Sequence, residues 1–402
     1  MADTPLPRKQ AGGLPFWLWI VVPALALVAL VWVFAVTNPG AVFTSSAPPV
    51  ESLTVQRIVV VPDGFRVSVV NGGPIETTIA QVIVDDAFWA FTIEPSATLP
   101  RLGTATISIP YAWVAGEPHV IQVLTTTGVI FEGVVEAATL TPQPGLREFG
   151  SYALLGIYVG VIPVALGMLW FPAMKRLGRR GLGAILALTL GLLIFLLVDT
   201  LLEAFELAGE VPGVFQGVPL ALFAALLTWL GLVAISSRRK DPYSDPAKQR
   251  LYIATLIALG IGLHNLGEGL AIGAAFALGE AALGSFLVIG FTLHNVTEGI
   301  GIAAPVTRDQ PSVKTFALLA LMAGGPAVLG VWIGGFIFSA IWATIFLAIG
   351  IGAIVQVIVE VGRLIIGGRE GRERREAAFD WTTLAGVAAG IAIMYATALV
   401  VA

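Results

Sequence analysis

Two of the three histidines in this sequence begin the same short pattern. His264 begins HNLGEGLAIG and His294 begins HNVTEGIGIA, and a glutamate follows each histidine one helical turn later, as Glu268 and Glu298. Residues at this spacing lie on one face of an α-helix, so each segment, if helical, presents an imidazole and a carboxylate together. The repeat therefore offers two imidazoles and two carboxylates from two consecutive helices.

Metal binding is the chemistry that this set of side chains favours. Both copies lie inside long apolar segments, where a carboxylate at the centre of a bilayer costs roughly 2.5 kcal/mol or more. A divalent cation compensates that charge, and two carboxylates with two neutral imidazoles suit zinc, iron(II), manganese or cobalt better than magnesium or calcium. Asn265 and Asn295, which follow the histidines, add amide oxygens at the neighbouring edge of the site.

Interhelical hydrogen bonding is the alternative explanation for the same residues. His, Asn and Glu side chains hold membrane helices together through polar contacts of about 0.6 to 2 kcal/mol each. The duplication of the pattern favours metal binding over this alternative. The glycines that follow the glutamates, Gly269 and Gly299, either let two helices pack closely or loosen the helix at the site, and the sequence leaves both interpretations open.

The amino-acid composition indicates whether these elements fold in water or in a lipid bilayer. The chain has 402 residues, of which 57% are hydrophobic and 12% charged, and a mean hydropathy of +0.89. These values predict an integral membrane protein within a lipid bilayer. A net charge of -4 provides no general basic patch, so we expect no nucleic-acid partner. The absence of cysteine excludes disulfides, thiolate metal sites and cysteine nucleophiles.

The N-terminal third of the chain is predicted to be a β-domain attached to a membrane anchor helix. Residues 1–15 are predicted to be a cytoplasmic terminus, 16–36 a membrane anchor helix and 37–50 a linker; a cleaved signal peptide is the alternative for the apolar segment. Residues 51–140 alternate in short β-rich runs between turn residues and predict an extracytoplasmic immunoglobulin-like sandwich of about seven strands. His119 is expected at its surface or edge. A linker follows at residues 141–149.

From residue 150 to 402 the chain predicts an all-α membrane bundle. The expected spans are 150–171, 182–205, 218–236, 251–279, 282–304, 315–337, 340–365 and 382–402. Lys and Arg collect in alternate loops; they are Lys175, Arg176, Arg179, Arg180, Arg238, Arg239, Lys240, Lys248, Arg250, Arg308, Lys314, Arg369, Arg372, Arg374 and Arg375. By the positive-inside rule these loops are cytoplasmic, which places the sandwich and the C-terminus outside in a nine-span protein of the plasma membrane.

The paired motifs resemble those of the Zrt/Irt-like (ZIP) divalent-metal transporters, whose fourth and fifth core helices carry HNxPEG-type sequences. The resemblance covers roughly residues 150–402. It implies eight core helices with both ends outside, in agreement with the count and orientation above. It also places Asn265 and Asn295 where relatives build a second metal position. The residues that it assigns to the primary transport site are His264, Glu268, His294 and Glu298.

Three departures from the family pattern affect the expected site. Gly267 and Thr297 replace the proline that precedes each glutamate, so no proline imposes a kink there. Gly325 stands where many relatives carry a glutamate that completes the second metal position. Asn295 replaces a frequent aspartate. We therefore predict a site for one metal ion.

Other acidic residues are weaker candidates. Asp199, Glu203, Glu206 and Glu210 follow one another near the outer end of a span, and they form either an acidic entrance that concentrates cations or solvated helix-end carboxylates. The pair Gln356 and Glu360, in a later span, is expected to line the pathway.

Secondary transport of divalent metal ions toward the cytoplasm is the function that these features predict together, with zinc ahead of iron(II) and manganese. Motifs for hydrolysis, redox turnover and ATP binding are absent, so we expect neither an enzyme nor a resident cofactor. A metal sensor that binds without transporting is the main alternative, and a metalloenzyme is a second one. The sandwich is expected to aid formation of a homodimer, cap the entrance or bind a partner.

Overall fold

The N-terminal apolar segment forms one long helix. The structure, a computed structural model, describes residues 16–37, 50–237, 245–278, 281–337, 339–366 and 380–399. It separates into two units, Met1–Val50 and Glu51–Ala402. In the first unit, helix α1 covers Phe16–Thr37, and its 22 residues are apolar up to the final threonine. Its role as a membrane anchor stays a prediction, and the terminus at 1–15 and most of the linker at 37–50 lie outside the described residues.

Two antiparallel sheets packed face to face form the β-domain. Their strands are β1 Leu53–Val61, β2 Gly64–Asn71, β3 Thr77–Val84, β4 Ala87–Trp89, β5 Thr92–Glu94, β6 Thr98–Leu99, β7 Thr104–Pro110, β8 His119–Thr125 and β9 Ile130–Val135. One sheet has the order β1-β2-β7-β5; the other has the order β4-β3-β8-β9, with β6 paired to β3. The three shortest strands, β4, β5 and β6, have only two or three residues each, too few to show the alternation from which about seven strands were expected.

Alternating side chains build the core of this sandwich. In β7 the residues of TATISIP are alternately exposed and buried along most of the strand, as the pleat of a half-buried strand requires. Val67, Val82, Ile107, Ile121 and Val123 are fully buried between the sheets. The core thus combines inward-facing positions from both sheets.

His119 does not lie at the surface or at a sheet edge, so that expectation is wrong. The residue begins the interior strand β8 and is only 4% exposed. Its Nδ1 lies 2.7 Å from Asp85 Oδ2, and its ring packs against the rings of Phe65 and Tyr111. Because the carboxylate satisfies one ring nitrogen, the imidazole can be buried at a tolerable cost.

Among the described residues, eight segments that follow the sandwich are long and apolar enough to cross a membrane, as predicted. The first combines α2 Leu146–Gly156, a π-helical turn Ile157–Val161, α3 Ile162–Met168 and α4 Phe171–Met174. The remaining helices are α5 Arg179–Gly209, α6 Gly217–Ser237, α7 Pro246–Ala277, α8 Ala281–Ala303, α9 Val313–Ile337, α10 Ala340–Ile366 and α11 Trp381–Ala398. The chain is therefore a multi-pass membrane protein.

The sandwich lies against the C-terminal ends of α5, α7 and α9. The described basic residues from residue 150 onward collect at the opposite end of the bundle, about 48 Å away along the 32-residue helix α7. There Arg250, in the first turns of α7, donates from Nε (2.9 Å) and Nη2 (2.5 Å) to the carboxylate of Asp309 in the α8–α9 connection. The basic residues expected at positions 238–240 and 369–375 lie outside the described residues.

Candidate metal centre

Helices α7 and α8 bring the two copies of the motif side by side. Both helices run through the motif without interruption, in keeping with the absence of the proline at Gly267 and Thr297. The imidazole rings of His264 and His294 face each other with centroids 5.8 Å apart and planes inclined at 30°. All six expected site residues are buried; they are His264, Asn265, Glu268, His294, Asn295 and Glu298.

Three of the side chains converge on one point. One ligand atom each from His264, Glu268 and His294 lies within 4.8 Å of the others. His264 Nε2 is 3.4 Å from Glu268 Oε1, and in the second motif His294 Nε2 is 3.6 Å from Glu298 Oε1. Glu298 is outside the group of three but adjoins it through His294. The arrangement is therefore a three-residue cluster with a fourth candidate ligand beside it.

Most of the polar atoms at this point lack a hydrogen-bond partner among the described residues. They are His264 Nε2, Glu268 Oε1, His294 Nε2, both carboxylate oxygens of Glu298, and the amide oxygens of Asn265 and Asn295. Buried polar groups are nearly always paired, so an unpaired cluster requires an explanation. Carboxylate and amide oxygens can only accept hydrogen bonds at neutral pH, and a cation would satisfy them together.

A residue of α5 fixes the tautomer of His264. Thr200 donates its single hydroxyl hydrogen to the carbonyl oxygen of Leu196 (2.7 Å), and its oxygen lies 2.8 Å from His264 Nδ1. The hydroxyl must therefore accept a hydrogen from Nδ1, which leaves the Nε2 lone pair free toward the cluster. Orientation of this kind is the usual contribution of an outer partner to a metal-ligating histidine.

The two asparagines make the interhelical hydrogen bonds that were the alternative explanation of the motifs. Asn265 Nδ2 donates to the carbonyl oxygen of Ala323 in α9 (3.1 Å). Asn295 Nδ2 donates to the carbonyl oxygen of Val159 in the π-helical turn (3.0 Å) and to Glu268 Oε2 (2.9 Å). The second contact holds one oxygen of Glu268 and leaves Oε1 facing the histidines. Interhelical hydrogen bonding therefore accounts for the side-chain amide nitrogens of Asn265 and Asn295. It does not account for the histidines and glutamates of the motifs, which keep unpaired atoms.

The motif glycines are sites of close helix packing. A Cβ atom on Gly269 would collide with the carbonyl oxygen of Ala327 in α9, and one on Gly299 would collide with that of Val164 in α3. Small residues that let two backbones approach are typical of membrane helix interfaces. Between the two interpretations open from the sequence, close packing is the one that the structure shows, and each contact sets the rotation of the helix that carries the adjacent glutamate.

The other acidic candidates divide into two groups. Glu203, Glu206 and Glu210 line a cavity of about 430 Å³, with Gly267 at its inner end, whereas Asp199 is not among the lining residues. Burial, and then the neighbouring Glu206, raise the pKa of Glu210, the first residue beyond helix α5. Glu360, in α10, accepts hydrogen bonds from Gln356 and Arg363, each at 3.0 Å, and is apart from the three-residue cluster.

Two residues that contact the site were not identified from the sequence. Thr200 and Val159 belong to segments that precede the motifs by many residues and contain no matching pattern. The one available signal was a threonine within the apolar helix α5, and a hydroxyl bonded to its own helix backbone is common in membrane helices.

One known family matches part of the chain. Residues 234–398, from the end of α6 through α11, match the family model described as ZIP Zinc transporter. The sandwich and the segments α1–α5 lie outside that match. No curated protein matches the sequence.

Proposed function

We propose that this chain moves divalent transition-metal ions into the cytoplasm through the cluster on α7 and α8, in keeping with the match of residues 234–398 to the family model described as ZIP Zinc transporter. The observation that carries the proposal is the group of unpaired, buried ligand atoms from His264, Glu268 and His294, which lie within 4.8 Å of one another. Transport would be secondary and driven by gradients. The match to the ZIP Zinc transporter model also favours a transporter over an enzyme.

The proposed ligands have separate roles. His264 and His294 provide Nε2 atoms and Glu268 provides Oε1, while Glu298 completes the site by moving one of its unpaired oxygens toward the ion. Two carboxylates balance the charge of a divalent ion, which removes the cost of burying them in the bilayer. The mixed nitrogen and oxygen set suits zinc first, then iron(II) and manganese.

We propose that the site holds one ion and that the ion is cargo, without a resident cofactor. Gly325 provides no side-chain ligand where a second position would need one, and the amide nitrogens of Asn265 and Asn295 are already engaged with backbone carbonyls. Their amide oxygens remain available to a bound ion or its water molecules. Because transport requires release, the four-ligand site must open or exchange one ligand for water during the cycle.

The orientation follows from the distribution of charge. We propose that the basic end of the bundle faces the cytoplasm and that the sandwich lies outside a plasma membrane, with α1 as its anchor. The strand orders β1-β2-β7-β5 and β3-β8-β9 correspond to the two sheets of an immunoglobulin-type sandwich, which supports an immunoglobulin-like domain. A homodimer is compatible with this arrangement.

Indicator-reported zinc influx into proteoliposomes tests the transport proposal directly. We expect saturable influx into vesicles that contain the native protein and none into vesicles without protein. Repeating the assay with iron(II) and manganese establishes the selectivity. Stoichiometric zinc binding by the folded protein without influx of any of the three ions would contradict transport and support the sensor alternative.

Replacing Thr200 by valine is expected to weaken zinc binding by about 10-fold to 100-fold, because the variant no longer accepts a hydrogen from His264 Nδ1 and the imidazole loses its fixed tautomer. The side chains have similar size, so the fold should persist. Thr228→Val is a matched control, since Thr228 makes the same bond to its own helix backbone in α6. Calorimetric titration of both variants checks this prediction, and equal affinities would contradict the positioning role of Thr200.

A further inference from the structure

The cavity that contains the acidic residues of α5 has walls from two parts of the molecule. Its outer wall is formed by the sandwich residues Val55, Gln56, Arg57, Ile58, Gly133 and Val134, which belong to the strands β1 and β9. Both are end strands of their sheets. Its inner walls are the ends of α5 and α7 together with Gly334 of α9 and Leu347 of α10. The sandwich therefore encloses space that would otherwise be open above the bundle.

Helix α7 connects this cavity to the metal centre. The residues of α7 that line it, among them Gly267, Ala271 and Ala274, recur at helical spacing along one face, and Leu278, directly after the helix, continues this face. From Leu278 beside the sandwich to Gly267, the helix rises about 16 Å. Gly267 immediately precedes the cluster residue Glu268. The cavity therefore extends from the sandwich to the level of the first motif.

The wall that α5 contributes is acidic. Glu203, Glu206 and Glu210 are spaced so that they share one face at the end of α5. A water molecule occupies about 30 Å³ in the liquid, so an ion with six waters needs about 200 Å³. The cavity, at about 430 Å³, accommodates such an ion. Three carboxylates beside low-dielectric walls attract cations and raise their local concentration.

Specific contacts hold the sandwich over this cavity. Both guanidinium NH2 groups of Arg57 donate to the bundle, Nη1 to the carbonyl oxygen of Phe336 and Nη2 to that of Gly335 (3.3 Å). These carbonyls belong to the last turn of α9, which leaves them without helical partners and at the negative end of the helix dipole. Arg57 is the one cationic residue among the described lining residues, and its charge is directed to that helix end.

We propose that the sandwich is part of the ion path: the β1 and β9 side of the sandwich and the ends of α5 and α7 form an entry chamber, which a hydrated divalent cation occupies before it reaches the cluster of His264, Glu268 and His294. This inference rests on the proposed transport function. It assigns the sandwich the capping role among the three roles open from the sequence. The domain is then required for uptake at low metal concentration.

Single cysteines can test the chamber because the native chain contains none. Gln56→Cys and Val134→Cys place a thiol on the β1 and β9 walls, and Val129→Cys places one at an exposed position in the β8–β9 turn as the control. Each full-length variant is reconstituted in proteoliposomes and labelled with a positively or a negatively charged methanethiosulfonate of similar size. Mass spectrometry establishes that labelling is complete.

A positive adduct on either wall is expected to raise the KM for zinc uptake by at least about threefold, because it repels the ion and occupies the chamber. A negative adduct at the same position should give a lower KM than the positive one, and neither label should change the Val129→Cys control. Normal zinc uptake with an unchanged KM at both fully labelled wall positions would overturn the chamber alone. Absence of zinc uptake in the native protein would overturn the transport function, and the chamber with it.

Discussion

Replacing Glu268 by glutamine is expected to weaken zinc binding by at least about 100-fold and to abolish zinc uptake. The loss of an outer partner of a ligand costs about 10-fold to 100-fold in metal affinity, and the loss of a charged ligand should cost more. Glu268 is one of the three residues whose ligand atoms converge, and its Oε1 is unpaired. Without its negative charge, the divalent ion loses half of the compensating carboxylate charge in a low-dielectric site.

The fold should survive this substitution. The carboxamide oxygen of glutamine can still accept the hydrogen bond that Asn295 Nδ2 now donates to Glu268 Oε2 at 2.9 Å. Calorimetric zinc titration in detergent and influx into proteoliposomes measure the two effects. Glu117→Gln removes the same charge from an exposed turn of the sandwich and should leave both unchanged. Native zinc affinity in the Glu268→Gln protein would exclude this carboxylate as a ligand.

Glu298→Gln should cost less zinc affinity than Glu268→Gln, because Glu298 lies outside the group of three and must move to reach the ion. The same titration ranks the two variants. The opposite order would mean that Glu298 is the principal carboxylate and that the cluster rearranges on binding.

The substitution Gly269→Ala is expected to destabilise the protein by about 1 to 3 kcal/mol, the usual cost of overpacking. The alanine Cβ would collide with the carbonyl oxygen of Ala327, so α7 and α9 must separate. That separation also displaces the adjacent Glu268, and zinc affinity should fall together with stability. Thermal unfolding in detergent and zinc titration check this prediction, and we expect a lower unfolding temperature and weaker zinc binding for Gly269→Ala.

Gly260→Ala provides the matched control within the same helix. A Cβ there would have Val357 Cγ2 as its nearest neighbour, at an ordinary contact distance of 3.5 Å. Alanine is favoured over glycine in a helix by about 1 kcal/mol, so this variant should be as stable as the native protein or slightly more stable. Equal losses of stability at Gly260 and Gly269 would show that close approach of α7 and α9 is not what the motif glycine provides.

Local patterns account for the parts of this protein that could be predicted from the sequence. The eight apolar segments are recognisable because a bilayer requires long runs of apolar residues, whatever their neighbours are. The six longest strands follow from alternation along each strand. The duplicated pattern at His264 and His294 indicated a pair of helices with histidine and glutamate on one face, since helical spacing alone determines which side chains share a face.

Contacts between distant segments could not be predicted in this way. The bonds from His264 to Thr200 and from Asn295 to Val159 depend on the rotation and depth of segments that share no sequence signal with the motifs. The burial of His119 could not be predicted either. It depends on Asp85, which belongs to a different turn of the sandwich. In each case a polar side chain is buried because a partner far along the chain satisfies it.

The sequence by itself determined the membrane class, the eight apolar segments that follow the sandwich and the identity of the paired motifs, because each depends on composition or on spacing within one segment. The tertiary structure decided that His264, Glu268 and His294 converge while Glu298 lies beside them, and that the motif glycines pack against α9 and α3. It also decided that the sandwich covers the acidic cavity. These features depend on how helices approach one another, and close packing of backbones fixes that approach only when the whole chain is assembled.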